Sequence, residues 1–232
     1  AAHLSKKCPN RKFEIIERRE SFGGTWDFFK YPGIRSDSDM STFGYSFKPW
    51  QKANVLADGA SIKGYLSEVI EEYKLKEKIK FQHRVLAANY DSVQKKWIVE
   101  IEDANQKKQT WVANFVLGCT GYYNYDQGFQ PNFPNQEAFK GQIIHPQFWP
   151  ENLDYAGKKV VIIGSGATAI TLVPAMVKGG AGHVTMLQRS PTYIASVPSI
   201  DFVYEKMRKV LPEDLAYKLT RARNIGMQRG IY

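Results

Sequence analysis

Twelve residues, Lys158-Lys-Val-Val-Ile-Ile-Gly-Ser-Gly-Ala-Thr-Ala169, constrain this chain more than any other stretch. Four β-branched residues, Val160 to Ile163, run directly into Gly164-Ser165-Gly166 and then into small residues. A strand, a tight turn and a helix must therefore follow one another without a linker. The GxGxxA spacing gives each small residue a task. Gly164 permits the turn, Gly166 lets a pyrophosphate approach the backbone, and Ala169 lets helix and strand pack closely, while the helix N-terminus offers free N–H donors. The helix that follows presents Ala169, Leu172, Val173, Met176 and Val177 to a core, and the next strand, Val184–Leu187, leads to Arg189 and Ser190. An NAD-binding unit would place an acid there. A guanidinium suits the 2′-phosphate of NADP, although a surface arginine without a ligand gives the same pattern.

The first half holds a second, weaker echo of this arrangement. Residues 1–8 read as the tail of a helix, and Phe13–Glu17 reads as a short buried strand ending on Glu17, where such a unit carries its ribose-binding acid. No strand and glycine loop precede it, so the chain is expected to begin inside the helix that would follow that loop. Ser21 to Trp50 is dense in Gly, Pro, Ser, Asp and aromatics and reads as a long ordered loop. Within it, Gly23, Gly24, Thr25 and Trp26 are followed by Tyr31-Pro-Gly-Ile-Arg-Ser-Asp37. Glycines let the main chain come close to a ligand, and Pro32-Gly33 fixes a turn. Trp26 either stacks on a flat cofactor or fills a core.

Ile62, Tyr65, Leu66, Val69, Ile70 and Tyr73 have the spacing of an amphipathic helix with Asp58 or Ser61 as its cap. Short apolar runs at 81–85, 86–90, 97–102 and 110–113 predict a β-meander, and Phe115–Gly121 a buried strand. The Pro- and aromatic-rich stretch from Tyr122 to Gly157 separates the halves. It contains His145, which as a lone histidine is either structural or a proton-transfer group. The basic remainder, to Tyr232, is expected to be largely helical.

With 232 residues and 43% hydrophobic content the chain can bury a core in one large or two small domains. No apolar run reaches membrane-spanning length and the N-terminus lacks a signal-peptide core. Cys8 and Cys119 form neither a CxxC pair nor a metal cluster, so no metal is expected and a reducing, cytoplasmic setting is. The net charge of +9 is dispersed and interleaved with Glu, as in EEYKLKEKIK, which argues against a nucleic-acid groove.

Taken together, these signals resemble the Baeyer–Villiger branch of the flavin-dependent monooxygenases. Phe139, Gly141, His145, Trp149 and Pro150 fit its FxGxxxHxxxWP fingerprint, and Gly24, Trp26, Tyr31, Pro32, Gly33 and Asp37 fit its GxWxxxx[FY]PGxxxD motif. The wording of RESFGGTWDFFKYPGIRSDSDM, GYYNYD and GSGATAITLVPA is closest to the bacterial ethionamide monooxygenases, over essentially the whole chain.

The resemblance implies an α/β fold with two dinucleotide-binding, Rossmann-like domains and a β-meander, both domains incomplete. An FAD-binding domain would span 1–121, a linker with the fingerprint 122–157, and an NADPH-binding domain 158–232. Residue by residue, it assigns FAD to Glu17, Gly24, Thr25, Trp26, Asp27, Phe28, Asp37 and Val85. NADP falls to Arg35, Ser36, Asp37, Gly164, Ser165, Gly166, Ala167, Thr168, Ala169, Ile170, Arg189 and Ser190. Asp37 would act at the flavin, as partner of a peroxide-stabilising arginine expected beyond residue 232, and His145 would position the fingerprint and couple domain movement to catalysis.

The implied reaction is insertion of one oxygen of O2 into a small hydrophobic ketone through a flavin peroxide, with organosulfur compounds as further substrates. An N- or S-oxygenating flavin monooxygenase is the alternative enzyme, and a non-catalytic nucleotide-binding fragment the alternative outside enzymes. The segment alone is expected to be inactive, and membrane association of its basic end stays open.

Overall fold

The computed structural model describes residues 1–196 and 198–231, the last of these by its backbone. Two compact units emerge, one made of Ala1–Asp27 with Leu66–Gln127, the other of Phe28–Tyr65 with Gly128–Tyr232. The fold is α/β with both parallel and antiparallel sheets.

In the first unit, helix α1 (Ala2–Lys7) ends on Lys6 and Lys7, whose charges suit the negative end of its dipole. Strand β1 (Ile15–Ile16) pairs in parallel with β2 (Ile79–Lys80). Flanking bonds extend the match, since the Glu17 N–H donates to Lys80 O (3.0 Å), His83 N–H to Glu17 O (3.0 Å) and Gln82 N–H to Arg19 O (3.0 Å). The meander consists of β3 (Arg84–Asp91), β4 (Lys96–Glu102) and β5 (Lys108–Ala113), all antiparallel with β4 central. Alternation along β4 buries Val99 and Ile101. Its turns are tied by carboxylates: Asp91 accepts from the N–H groups of Val93 and Gln94, and Asp103 from those of Asn105 and Lys107.

Three expectations in this unit change. The runs 81–85 and 86–90 are one strand from Arg84, interrupted by a bulge between Val85 and Ala87. Ile79–Lys80, inside a charged run, proves to be a strand. Phe115–Gly121 is not a buried strand: Phe115 and Leu117 are exposed and no ladder holds the segment. An apolar run becomes a strand only where a neighbour accepts its backbone bonds, and none of the described residues does so here.

The second unit is built on the segment that dominated the sequence. Strand β6 (Lys159–Ile163) and strand β7 (His183–Leu187) pair in parallel over five positions, connected through helix α5 (Ala167–Lys178). Phe29, Tyr31, Ile162, Ala169, Leu172 and Met176 form its core, with Trp149, Tyr155 and Val173 packed around them. Val177, expected in that core, is 58% exposed, because the inward stripe follows positions 169, 172, 173 and 176 and leaves 177 at its outer rim.

The long loop expected from Ser21 to Trp50 carries two short helices, α2 (Thr25–Phe28) and α3 (Met40–Phe43). Asp39 caps α3 through the Thr42 N–H (3.0 Å). Helix α4 (Gly59–Glu72) buries Ile62, Tyr65 and Val69, and Asp58 caps it by accepting from the Ser61 N–H at 2.7 Å. The basic end forms α6 (Phe202–Val210) and α7 (Glu213–Ile231), joined over Tyr204, Ala216 and Tyr217. Arg221 on α7 donates to the carbonyls of Ser41, Thr42 and Gly44, which satisfies the free C-terminal end of α3. Among the described residues no helix is long and apolar enough to cross a membrane.

Candidate functional site

In the second unit the turn between β6 and α5 has the geometry that phosphate binding requires. Gly164 lies at φ +124°, reachable by few other residues, and its N–H donates to Leu187 O at 2.8 Å, which ties the turn to the end of β7. Gly166 is the N-cap of α5, and the Ile170 N–H is bonded back to Gly166 O (3.1 Å). The N–H groups of Ala167, Thr168 and Ala169 therefore have no acceptor within the helix. A Cβ built on either Gly164 or Gly166 would meet nothing within 4 Å. Open space thus stands over a helix N-terminus.

The neighbouring strand end completes this cradle. Ser165 Oγ donates to Ser190 O (3.2 Å) and lies 2.9 Å from Thr192 Oγ1, so the turn and the segment after β7 are held together. Arg189 and Ser190 are exposed beside it. A diphosphate over the turn and a second phosphate at Arg189 match the donors present, so the residues fit NADP.

The Tyr31–Asp37 segment belongs to the same unit but behaves differently. Gly33, at φ +85°, has no space: a Cβ there would come within 2.5 Å of Thr171 O and 2.9 Å of Ala175 Cβ. Its close approach is to helix α5, whereas the sequence had suggested a ligand. Ser36 is buried, with its hydroxyl bonded to Ser38 O (3.1 Å), and Arg35 and Asp37 form a half-exposed ion pair at 3.7 Å. Phe28 packs edge-on against Phe29 and Phe148, with ring centroids 5.3 and 6.1 Å away.

His145 has a structural role that its isolation in the sequence left open. Its Nδ1 accepts from the Gln147 N–H (3.2 Å) and caps the single turn Pro146–Phe148. The ring lies on Gly128, where a Cβ would come within 2.5 Å of it. Accepting at Nδ1 requires that nitrogen to carry no proton. Within the same fingerprint, Phe139 covers Gly141 and Trp149 packs on the core.

The first unit gathers the other candidates around the end of β1. Glu17 accepts from the Arg19 N–H at 2.9 Å. Gly23 and Gly24, at φ +115° and +51°, turn the chain into α2, where the N–H groups of Trp26 and Asp27 bond to their carbonyls. The Asp27 side chain is buried between Arg19 (2.8 Å) and Ser21 Oγ (2.5 Å), so its carboxylate is committed to holding the turn. Thr25 and Trp26 are half-buried in α2, and Val85 is 46% exposed on β3 beside the bulge. Sequence reasoning missed Arg18, which grips Asp126 with both Nη atoms at 3.0 and 2.5 Å, and Tyr125, over which Arg18 and Arg19 lie. The Arg18-Arg19 pair directly after Glu17 was the available signal. A concavity beside Arg18, also lined by Gln82, Arg84, Glu102 and Asp103, carries both signs of charge and singles out no ligand.

The family model described as flavin-binding monooxygenase-like matches residues 15–207. The chain belongs to that family. It is 83% identical over 232 residues to a probable FAD-binding monooxygenase, AlmA, of Acinetobacter baylyi and 53% identical to the FAD-containing monooxygenase EthA of Mycolicibacterium smegmatis, covering all of this chain and 47% of each relative. It spans about half the length of the curated relatives it matches. Among solved structures, an oxidized steroid monooxygenase bound to NADP superposes with a TM-score of 0.73 at 26% identity, over 94% of this chain and 40% of that one. A cyclohexanone monooxygenase from Rhodococcus bound to NADP+ gives 0.73 at 23%, with the same coverage, and shares the fold. The resemblance read from the motifs, to the Baeyer–Villiger-type branch of these flavoproteins, is borne out.

Proposed function

We propose that this chain is the part of an FAD- and NADPH-dependent Baeyer–Villiger monooxygenase that carries the NADP cradle and much of the FAD site. The observation carrying this reading is the open Gly164–Gly166 turn at the head of α5, with Arg189 exposed at the end of β7, in a chain of the flavin-binding monooxygenase-like family. Residues 1–121 serve FAD in one Rossmann-like domain, 122–157 form the linker, and 158–232 serve NADPH in the other.

Each residue has a physical task. The free N–H groups of Ala167, Thr168 and Ala169 hold the diphosphate, with Ser165, Gly166 and Ile170 shaping the turn, and Arg189 with Ser190 takes the 2′-phosphate. Glu17 binds the FAD ribose by its carboxylate. Gly24, Thr25, Trp26, Asp27, Phe28 and Val85 also serve FAD. Arg35, Ser36 and Asp37 serve the nicotinamide side, Asp37 also the flavin, and His145 sets the fingerprint turn through its Nδ1.

When bound and reduced by NADPH, FAD would supply the oxygen-activating chemistry by which one atom of O2 enters a hydrophobic ketone, giving an ester or lactone, and the other leaves as water. Organosulfur compounds form the second substrate class. The Trp149-Pro150 ending favours ketone oxidation over an enzyme confined to nitrogen or sulfur. The test is anaerobic mixing of the holoprotein with NADPH or NADH, followed by oxygen and a ketone. Rapid bleaching of the flavin by NADPH, then oxygen uptake coupled one-to-one to ester, is expected. Absence of bleaching by either nucleotide would remove the oxygenase reading.

A further inference from the structure

The most organised set of side chains that the motifs leave unassigned lies at the end of β1, in the first unit. Arg18 and Arg19 point to different anchors: Arg18 forms its two-pronged bond with Asp126, while Arg19 pairs with Asp27 and reaches Gly24 O (3.5 Å). Tyr125 joins them. Its ring centroid is 6.0 Å from the Arg18 guanidinium carbon and 5.9 Å from that of Arg19, within cation–π range, and it alone of Gly121–Gln127 is not exposed. Its hydroxyl lies 3.4 Å from where a Cβ on Gly24 would stand. Asp126 is fixed from its own side as well, its N–H donating to Asn124 Oδ1 at 3.0 Å.

These contacts close a ring of three segments, 17–19, 23–27 and 125–126, around the C-terminal end of β1, which is where open α/β sheets bind their ligands. An exposed ion pair contributes little to stability by itself. Its two-pronged geometry instead fixes orientation. We propose that Tyr125 and Asp126 form a positioning strap for the FAD half-site, tying residues 125–126 through Arg18 and Arg19 to the end of β1 and holding the Gly23–Gly24 turn in the shape that admits the cofactor. This inference rests on the reading of the first unit as an FAD site. Arg18 holds the Asp126 carboxyl below the usual carboxylate range, so the strap persists through neutral pH.

The test strips the holoprotein of FAD and titrates it back, following flavin fluorescence, with NADPH affinity measured on the same samples. Tyr125→Leu removes the aromatic face and should weaken FAD binding about tenfold, while Tyr125→Phe keeps the face and stays within about twofold. NADPH affinity should be unchanged in both. Arg18→Gln and Asp126→Asn should each weaken FAD, and the double variant no more than either alone. Failure of the wild type to rebind FAD would remove the FAD reading itself. Wild-type binding with Tyr125→Leu equally tight would leave that reading intact and overturn the strap. Should Tyr125→Leu lose both nucleotides through misfolding, the double-variant cycle decides: additive losses overturn the strap and coupled losses support it.

Discussion

Two glycine turns in the second unit look alike in the sequence and have opposite surroundings. Gly164-Ser165-Gly166 and Pro32-Gly33 each place a glycine at positive φ beside an apolar element. Above Gly164 and Gly166 there is open space, whereas the missing side chain of Gly33 is what lets Thr171 and Ala175 of α5 come close. On the proposed reading a glycine is needed in one place so that a ligand can approach, and in the other because helix α5 already fills the space. The same helix takes part in both, offering its N-terminus to the first turn and its middle to the second.

The contrast breaks if a side chain at the open turn leaves nucleotide binding intact. Gly166 has φ −75°, which any residue adopts, so Gly166→Val adds bulk without backbone strain. NADPH affinity should fall at least about a hundredfold. The fold should lose only about 1 kcal/mol, from a poorer N-cap. The converse holds at Gly33. Gly33→Ala meets both a left-handed backbone and a carbonyl 2.5 Å away, and should lower unfolding free energy by about 2 kcal/mol in a urea titration. At saturating NADPH the surviving folded protein should still bind.

What was legible followed from sequence distance. β6, α5 and β7 are contiguous, and their strand, turn and helix signals need only one another, so the unit and its open glycines could be read directly. β1 and β2 pair across more than sixty residues, and Ile79–Lys80 lies in a run that reads as a solvated helix. Phe115–Gly121 has the composition of a strand but its ladder depends on partners that local composition cannot supply. Arg18 and Asp126 are separated by 108 positions, so their pairing has no local signature. The close approach of α5 to Gly33 is likewise a tertiary fact. Motifs therefore revealed which glycines mattered, but not that the space at Gly33 is filled by helix α5.

A smaller effect sharpens the ligand side of the contrast. Arg189 is exposed beside the open turn, and removing its charge should cost the 2′-phosphate alone. Arg189→Ala should reduce the preference for NADPH over NADH about tenfold, with NADH affinity and thermal stability unchanged. Equal losses for both nucleotides would assign Arg189 to the fold and return the open turn to a nucleotide without a 2′-phosphate.

The smallest effect comes from a carboxylate in the same unit but at neither turn, and it separates general loosening from loss at a glycine. Asp201 caps α6 through the Tyr204 N–H (2.9 Å) and pairs with Arg223 of α7. Burial pushes its pKa up, but the Arg223 bond and the N–H donors outweigh burial and leave it below the usual carboxylate range. A folded-state pKa that is depressed adds stability above the unfolded-state value, near 4, and that stability is lost as pH falls through the folded value. Asp201→Asn should therefore cost about 1 kcal/mol at pH 7. The gap from wild type should close once the medium is acidic enough to protonate Asp201 in the folded protein. Amide exchange in α6 at the two pH extremes measures it. NADPH affinity at neutral pH should not move, because loosening the α6–α7 pair leaves the open turn as it was; a fall would show that loss at Gly166→Val need not be local.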